Sequence, residues 1–307
     1  MIRHGDAFDL IEEVPDTGVD LVLTSPPYWG LRSYGLEASD DILERWETAG
    51  CSPARVPPYE WYREAGGVLG LEPYPAWYVE HLVEFFNRVR RTLKPSGSLW
   101  INLGDTYFAR WSSIRDGGRQ GYTAQRRRRR SPSGGYLQDK QLLLIPARFA
   151  IAMQEIGWIL RNDLIWAKPT VMPRPEADRL RLSHEHWLHF VPRRPRARAR
   201  YYYDLNGCED GARDVVICPV APGDGGHTAT FPLDLIRPRI LSTCPPEGLV
   251  LDPFCGTGRA VIEAGRVGRR GLGFEISGAY AVVASSSALR LHSKRDTSIG
   301  RNGSQND

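Results

Sequence analysis

The chain has 307 residues, 41% hydrophobic and 25% charged, a composition that supports a packed globular core. No apolar run approaches the ~20 residues that span a bilayer. The opening MIRHGDAFDLIEE is too acidic for a signal peptide, so no membrane partner and a cytoplasmic location are expected. The formal net charge of +4 excludes a strong whole-protein field. Only Lys94, Lys140, Lys168 and Lys294 are lysines, so nearly all the positive charge is arginine, whose fork suits phosphate and guanine edges. A GC-rich genome would produce the same excess. Cys51, Cys208, Cys218, Cys244 and Cys255 stand singly without a CxxC pair, so neither a metal site nor a disulfide framework is expected.

In chain order, VDLVLT at 19–24 is an apolar run bounded by turn residues and predicts a buried parallel strand. SPPYWG follows at once and forces a turn. Residues 77–93 place Leu82, Phe85, Phe86, Val89 and Leu93 at helical spacing. KPSG is expected to stop that helix, with a strand at 98–102. A helix is read over 140–156, strands over 160–167 and 187–192, and a helix over 233–244 despite Pro238. Residues 249–275 read as strand, glycine turn, helix and strand. A last helix at 280–291 precedes a polar tail at 293–307 that is expected to be disordered. This alternation predicts an α/β fold with a doubly wound, mostly parallel sheet. Two stretches break it. Residues 36–70 are polar and proline-rich, and 107–139 is a Gly/Ser/Arg segment holding Arg126, Arg127, Arg128, Arg129 and Arg130. Insertions that long are usually functional or disordered.

Two turns carry candidate chemistry. In Asp252-Pro253-Phe254-Cys255-Gly256-Thr257-Gly258 the glycines follow a strand and open a helix, where they permit positive φ and close approach of a ligand. Glu275 closes the next strand, a usual place for the carboxylate that holds the ribose hydroxyls of a nucleotide-like cofactor. Ile262 stands near where a third glycine of the dinucleotide fingerprint would fall, and no phosphate-binding lysine follows. The other turn is Thr24-Ser25-Pro26-Pro27-Tyr28-Trp29, just past a strand end. Its prolines set the direction of main-chain carbonyls. A serine hydroxyl and a proline carbonyl form an acceptor pair for an –NH₂ group, and Tyr28 offers a face for stacking on a heteroaromatic ring. An ordinary strand-to-helix turn and a rigid surface turn are the plainer alternatives.

TSPPYWGLRSYG resembles the catalytic motif of amino-group DNA methyltransferases, and VLDPFCGTGRAVIEAGRVGRRGLGFE resembles their S-adenosylmethionine motif. GLEPYPAWYVEHL, LKPSGSLWINLGDTY, GWILRNDLIWAKPTVMP, DRLRLSHEHWLHF, YYYDL and HTATFPLDLI are similar to the same family, over about 2–291. With the catalytic motif first, the order resembles the permuted beta group found in restriction–modification systems and phages. The resemblance implies one catalytic domain over 1–292 built on a circularly permuted, seven-stranded methyltransferase sheet. Residues 36–70 and 107–139 are then DNA-recognition insertions, and 293–307 is a tail. One departure stands beside it: Arg259-Ala260 follows the GxG turn where the family usually has small or hydroxyl residues.

The resemblance further implies that Asp252, Pro253, Phe254, Gly256, Gly258 and Glu275 form a pocket for S-adenosylmethionine. Phe254 would stand near the cationic sulfonium. Asp6 would meet the cofactor adenine, or else cap a helix. Ser25 and Pro26 would accept from the amino group of a flipped base, held by Pro27 and Tyr28. Ser25 points to cytosine N4 over adenine N6, the alternative within the class. A catalytically silent DNA-binding protein is the alternative from another class. An RNA or protein-glutamine methyltransferase is a third, which more often carries Asn at the position of Ser25. Double-stranded DNA is the expected partner, with a second copy of the chain and a cognate restriction endonuclease as further candidates. Arg126–Arg130 is read as a phosphate-contacting run or as a solvated one.

Overall fold

The computed structural model of the chain describes all residues except 32–35, 110, 116–125, 131, 171–176, 195–197, 222–231 and 300–307. Its elements are β1 (Ile2–His4), α1 (Ala7–Leu10), β2 (Val19–Thr24), α2 (Ile42–Thr48), α3 (Tyr59–Glu64), α4 (Pro75–Thr92), β3 (Leu93–Leu103), β4 (Trp111–Arg115), β5 (Arg126–Arg130) and α5 (Ile145–Glu155). There follow β6 (Trp158–Ala167), β7 (His184–Pro192), β8 (Val215–Ile217), α6 (Leu233–Thr243), β9 (Leu249–Asp252), α7 (Arg259–Arg266), β10 (Arg270–Glu275) and α8 (Gly278–Ile299). No helix among the described residues is long and apolar enough to cross a membrane.

The main sheet has the order β1-β10-β9-β2-β3-β7-β6-β8. Among the described residues of this sheet only β7 runs against its neighbours, pairing antiparallel with β3 and β6. The sheet is therefore mostly parallel and covered on both faces, as expected. Period-2 alternation splits each strand between two cores. Val22, Leu99, Ile101 and Phe274 face one core with Phe85, Phe86 and Val89 of α4 and Phe149 of α5. Leu21, Leu23, Trp100 and Val250 face the other with Leu235, Ile236 and Ile240 of α6 and Ala260 and Ala264 of α7.

The cofactor-type strands β9 and β10 come last in sequence yet insert between β1 and β2. β2 pairs with β9 through Leu21↔Val250 and Val22↔Leu251. From this pair the chain winds one way to β10 and the other to β3, which makes it the topological switch point where parallel sheets bind ligands. At the opposite strand ends, Lys94 Nζ sits 2.8 Å from both carboxylate oxygens of the buried Asp20. Leu249 N donates to the same carboxylate at 2.9 Å, so one side chain ties β2 to β3 and β9.

Several expectations are corrected. Among the described residues the sheet holds eight strands, not seven, because β8 adds a three-residue edge to β6, too short a run to read locally. The helix α4 ends before KPSG as expected, but β3 begins already at Leu93 and takes KPSG in as an irregularity before Ser98. Residues 36–70 are not a bare loop: α2 and α3 bury Ile42, Trp46, Tyr59 and Tyr62 in the core beneath a polar exterior. Part of 107–139 forms a separate ribbon in which β4 pairs antiparallel with β5, so the arginine run is a strand. Helix α8 carries on through 293–299, where no glycine or proline interrupts it before Gly300, and the rest of the expected tail lies outside the described residues.

Candidate functional site

The two motif turns leave the sheet side by side, from the ends of β2 and β9. Thr24 Oγ1 donates to Asp252 Oδ1 at 2.6 Å, and both residues are buried. The same Asp252 oxygen accepts from Phe254 N at 3.2 Å and shapes the glycine turn. Above this link opens a cavity of about 1230 Å³. Ser25, Pro26, Pro27 and Tyr28 line one part of it, and Asp6, Pro253, Phe254, Gly256 and Glu275 line another. The structure thus brings together nine of the eleven residues expected for catalysis and cofactor binding.

The other two, Asp252 and Gly258, do not line the cavity. Asp252 is consumed below the floor by Thr24 and the turn backbone. Gly258, with φ +81°, caps α7, and a Cβ there would lie 3.0 Å from Ala284 Cβ, so it is needed where α7 packs on α8. Arg126–Arg130 forms the strand β5. The departure from the family pattern, Arg259, stands at the first turn of α7 and does line the cavity.

At the glycine turn, Gly256 adopts φ +52°, a left-handed conformation that suits glycine. Glu275 Oε2 accepts from Gly256 N and Oε1 from Ser277 N, each at 2.8 Å. Burial raises its pKa, while these two N–H groups pull it down. Each oxygen keeps acceptor capacity beyond its one backbone bond. The Phe254 ring packs against Phe85 with centroids 5.0 Å apart. Asp6 fulfils the capping alternative, accepting from Phe8 N at 2.9 Å at the start of α1, and it also lines the cavity. Its second oxygen meets Arg63 at 3.3 Å.

The proline turn is held from behind. Tyr78 donates its hydroxyl to the Pro27 carbonyl at 2.7 Å, which leaves the Pro26 carbonyl as the acceptor beside Ser25. Gly30 N donates to Gly70 O at 2.7 Å, and Trp29 Nε1 to Glu72 O at 2.9 Å. The Glu72 carboxylate in turn accepts from Gly70 N and pairs with His81 Nδ1 at 3.1 Å, both side chains being fully buried. Tyr28 Oη reaches Asn102 Oδ1 at 2.7 Å and Glu185 Oε2 at 2.9 Å. Burial, reinforced by the Glu185 carboxylate, pushes the Tyr28 pKa far up, so the phenol stays neutral. Sequence reading missed Asn102, Glu185, Glu72 and His81. The available signal was polarity in apolar company, as with Asn102 within LWINL.

A family model described as DNA methylase, of the N6/N4 methyltransferase group, matches residues 19–286. The chain is 32% identical over 298 residues to the type II methyltransferase M.Cfr9I of Citrobacter freundii, spanning 92% of this chain and 85% of that one. It is 33% identical over 297 residues to the type II methyltransferase M.SmaI of Serratia marcescens, spanning 93% and 89%. The solved PvuII DNA methyltransferase (cytosine-N4-specific) shares the fold with a TM-score of 0.64 at 19% identity, spanning 94% of this chain and 85% of that one. M1.HpyAVI, solved as its SAM complex, shares it with a TM-score of 0.55 at 18% identity, spanning 94% and 98%.

Burial pushes the Asp252 carboxyl up to about 7, against the pull of the Thr24 and Phe254 hydrogen bonds and with a smaller push from Glu275. An unfolded aspartate titrates near ~4. Between about pH 4 and pH 7 the folded chain therefore holds a proton that the unfolded chain has lost, and stability falls as pH rises through that window. Asp252→Asn resembles the protonated side chain and removes this slope. Its melting temperature should pull ahead of wild type between pH 5 and pH 8, by the equivalent of a few kcal/mol, on the order of what a rise from ~4 to about 7 implies. Parallel melting curves across that range would show that Asp252 stays ionised.

Proposed function

The chain belongs to the DNA methylase family of N6/N4 amino-methyltransferases, and we propose that it moves a methyl group from S-adenosylmethionine to cytosine N4 of a base turned out of duplex DNA. The observation that carries this reading is the pair of turns sharing one cavity and joined at their roots by Thr24 and Asp252. A cavity of about 1230 Å³ exceeds the range usual for a single drug-sized ligand, in keeping with a cofactor and a base held together. Residues 1–292 are read as one catalytic domain. The type II relatives support a role as the modification enzyme of a restriction system.

The residues present fit the cofactor. Glu275, anchored by two backbone N–H groups, is suited to accept from ribose hydroxyls. Gly256 lets the main chain come close, and the Phe254 face favours a neighbouring cation. Asp6, with Pro253, completes this end. When bound, S-adenosylmethionine supplies an electrophilic methyl group. Ser25 and the Pro26 carbonyl accept hydrogen bonds from the target amino group, which draws its lone pair out of conjugation with the ring and aims it across the cavity. Pro27 is fixed by Tyr78, and Tyr28 stacks on the base. Cys255 takes no covalent part: burial pushes its pKa well up, so it remains a thiol. Ser25 is the feature that favours cytosine over adenine, and the cytosine-N4 specificity named for the PvuII enzyme agrees with it. The β4–β5 ribbon would lay its arginine run along DNA phosphates.

Three measurements test this. DNA methylated with labelled cofactor and digested to nucleosides should carry label in N4-methylcytosine. Label confined to N6-methyladenine would overturn the cytosine assignment while leaving the enzyme class intact. In the same assay Ser25→Ala and Tyr28→Ala should each lose most of the turnover with cofactor affinity preserved. By calorimetry, Glu275→Ala should weaken S-adenosylmethionine binding by about 1–3 kcal/mol, and an unchanged affinity would remove Glu275 from the pocket. Replacing Arg126–Arg130 by serine should flatten the log–log salt dependence of DNA binding by up to ~4.5, the slope for about five phosphates, whereas an unaltered slope would make the run solvated.

A further inference from the structure

The polar groups around the Tyr28 hydroxyl have no part in the chemistry just described. Tyr28 Oη lies 2.7 Å from Asn102 Oδ1 and 2.9 Å from Glu185 Oε2. Asn102 Nδ2 donates to the His186 carbonyl at 3.2 Å, which turns the amide oxygen toward the tyrosine. A neutral phenol has one hydrogen, and both neighbours are acceptors, so that hydrogen is shared between two oxygens that flank the end of the ring. The other Glu185 oxygen, Oε1, is paired with Lys168 Nζ. The Lys168 ammonium also stands 4.6 Å over the Trp166 ring. The backbone N–H of Lys168 donates to Ser183 O at 2.7 Å, closing the ends of β6 and β7 on each other. Beside the ring, Gly104 leaves room that a Cβ would fill at 2.7 Å from Tyr28 Cε2.

The Lys168 and Glu185 side chains are only 18% and 16% exposed. Desolvating such a pair costs what an apolar pair of the same volume would avoid, so fold stability gives no reason for it. Its geometry does: the pair holds an acceptor oxygen at the tip of the one aromatic ring in the Ser-Pro-Pro-Tyr turn.

We propose that Glu185, with Lys168 as its counter-ion, is a positioning residue that anchors the tip of the Tyr28 ring and so places its face for stacking on the target base. It acts on methyl transfer through Tyr28 alone, and this inference rests on the stacking role proposed above. Lys168 holds Glu185 from the far side, so the anchor spans the turn after β2, the end of β6 and the start of β7. Without it the ring swings about its Cα–Cβ bond, and the base loses its platform without any loss of cofactor contacts.

The test is a double-mutant cycle in full-length protein. Its substrate is chromosomal DNA amplified in vitro, which carries every short site unmethylated, and its readout is incorporation of labelled methyl. Glu185→Leu should lower turnover about tenfold in the presence of Tyr28 and less than twofold on a Tyr28→Phe background, which keeps the ring but not the hydroxyl. Lys168→Met should follow the same pattern with a smaller loss. Affinity for S-adenosylmethionine should stay within twofold throughout. Equal fold-losses in both backgrounds would overturn the proposal. A second arm does not depend on activity. With ¹³Cζ-labelled tyrosine, the Tyr28 resonance, assigned by its loss in Tyr28→Phe, should shift and broaden in Glu185→Leu. An unmoved resonance would refute the anchor even if turnover fell. A wild-type chain that transfers no methyl would instead sink the methyltransferase reading, and the NMR arm would then decide by itself whether Glu185 anchors the ring.

Discussion

A hydroxyl donating to a carboxylate at 2.6 Å, Thr24 to Asp252, is the contact on which the site depends. It joins residues 228 positions apart at the ends of two parallel strands, in a place with no access to water. A carboxylate so placed loses its hydration, which is why its pKa rises to about 7 even with two donors on it. The contact gives the buried polar groups a partner and sets the two motif turns at a fixed separation. An unpaired group there would carry a cost of about 1–3 kcal/mol, so each turn constrains the other.

Above that root the two turns are held in different ways. The glycine turn is organised by acceptors, with Asp252 and Glu275 gathering the N–H groups of Phe254, Gly256 and Ser277. The proline turn is held from outside: Tyr78 donates to the Pro27 carbonyl, and the Gly70 and Glu72 carbonyls accept from Gly30 N and Trp29 Nε1. Glu72 and His81 form a fully buried pair behind that segment, so the rigidity of the turn traces back into α4. The aromatic wall follows the same route, from Phe254 through Phe85 to Phe8 and Tyr59.

Much of this was legible in the order of residues. The VDLVLT strand, the helix carrying Phe85 and Phe86, and the strand–turn–helix–strand unit ending at Glu275 stand where their patterns put them. Local periodicity also misled. Ile42 with Trp46, and Tyr59 with Tyr62, lie at helical spacing, but the proline-rich surroundings hid two short helices. KPSG has the composition of a turn, yet it falls within β3 as an irregularity between Leu93 and Ser98, the residues that pair with β2. Asp252 and Gly258 belong to the cofactor-type motif, but one serves the floor and the other a helix contact, a distinction that composition does not carry.

By itself the sequence determined the types of the longer elements, the two turns and the chemistry available in each, because hydrophobic period, proline and glycine act over a few residues. Only the tertiary structure decided that β9 lies beside β2, that Glu185 from β7 and Asn102 from β3 meet Tyr28, and that Tyr78 occupies the Pro27 carbonyl. Those contacts join residues 51 to 229 positions apart, from Tyr78 with Pro27 to Leu21 with Val250 (250 − 21 = 229). They depend on strand order and register, which are set by how all the apolar faces close on one sheet and not by any segment's own pattern.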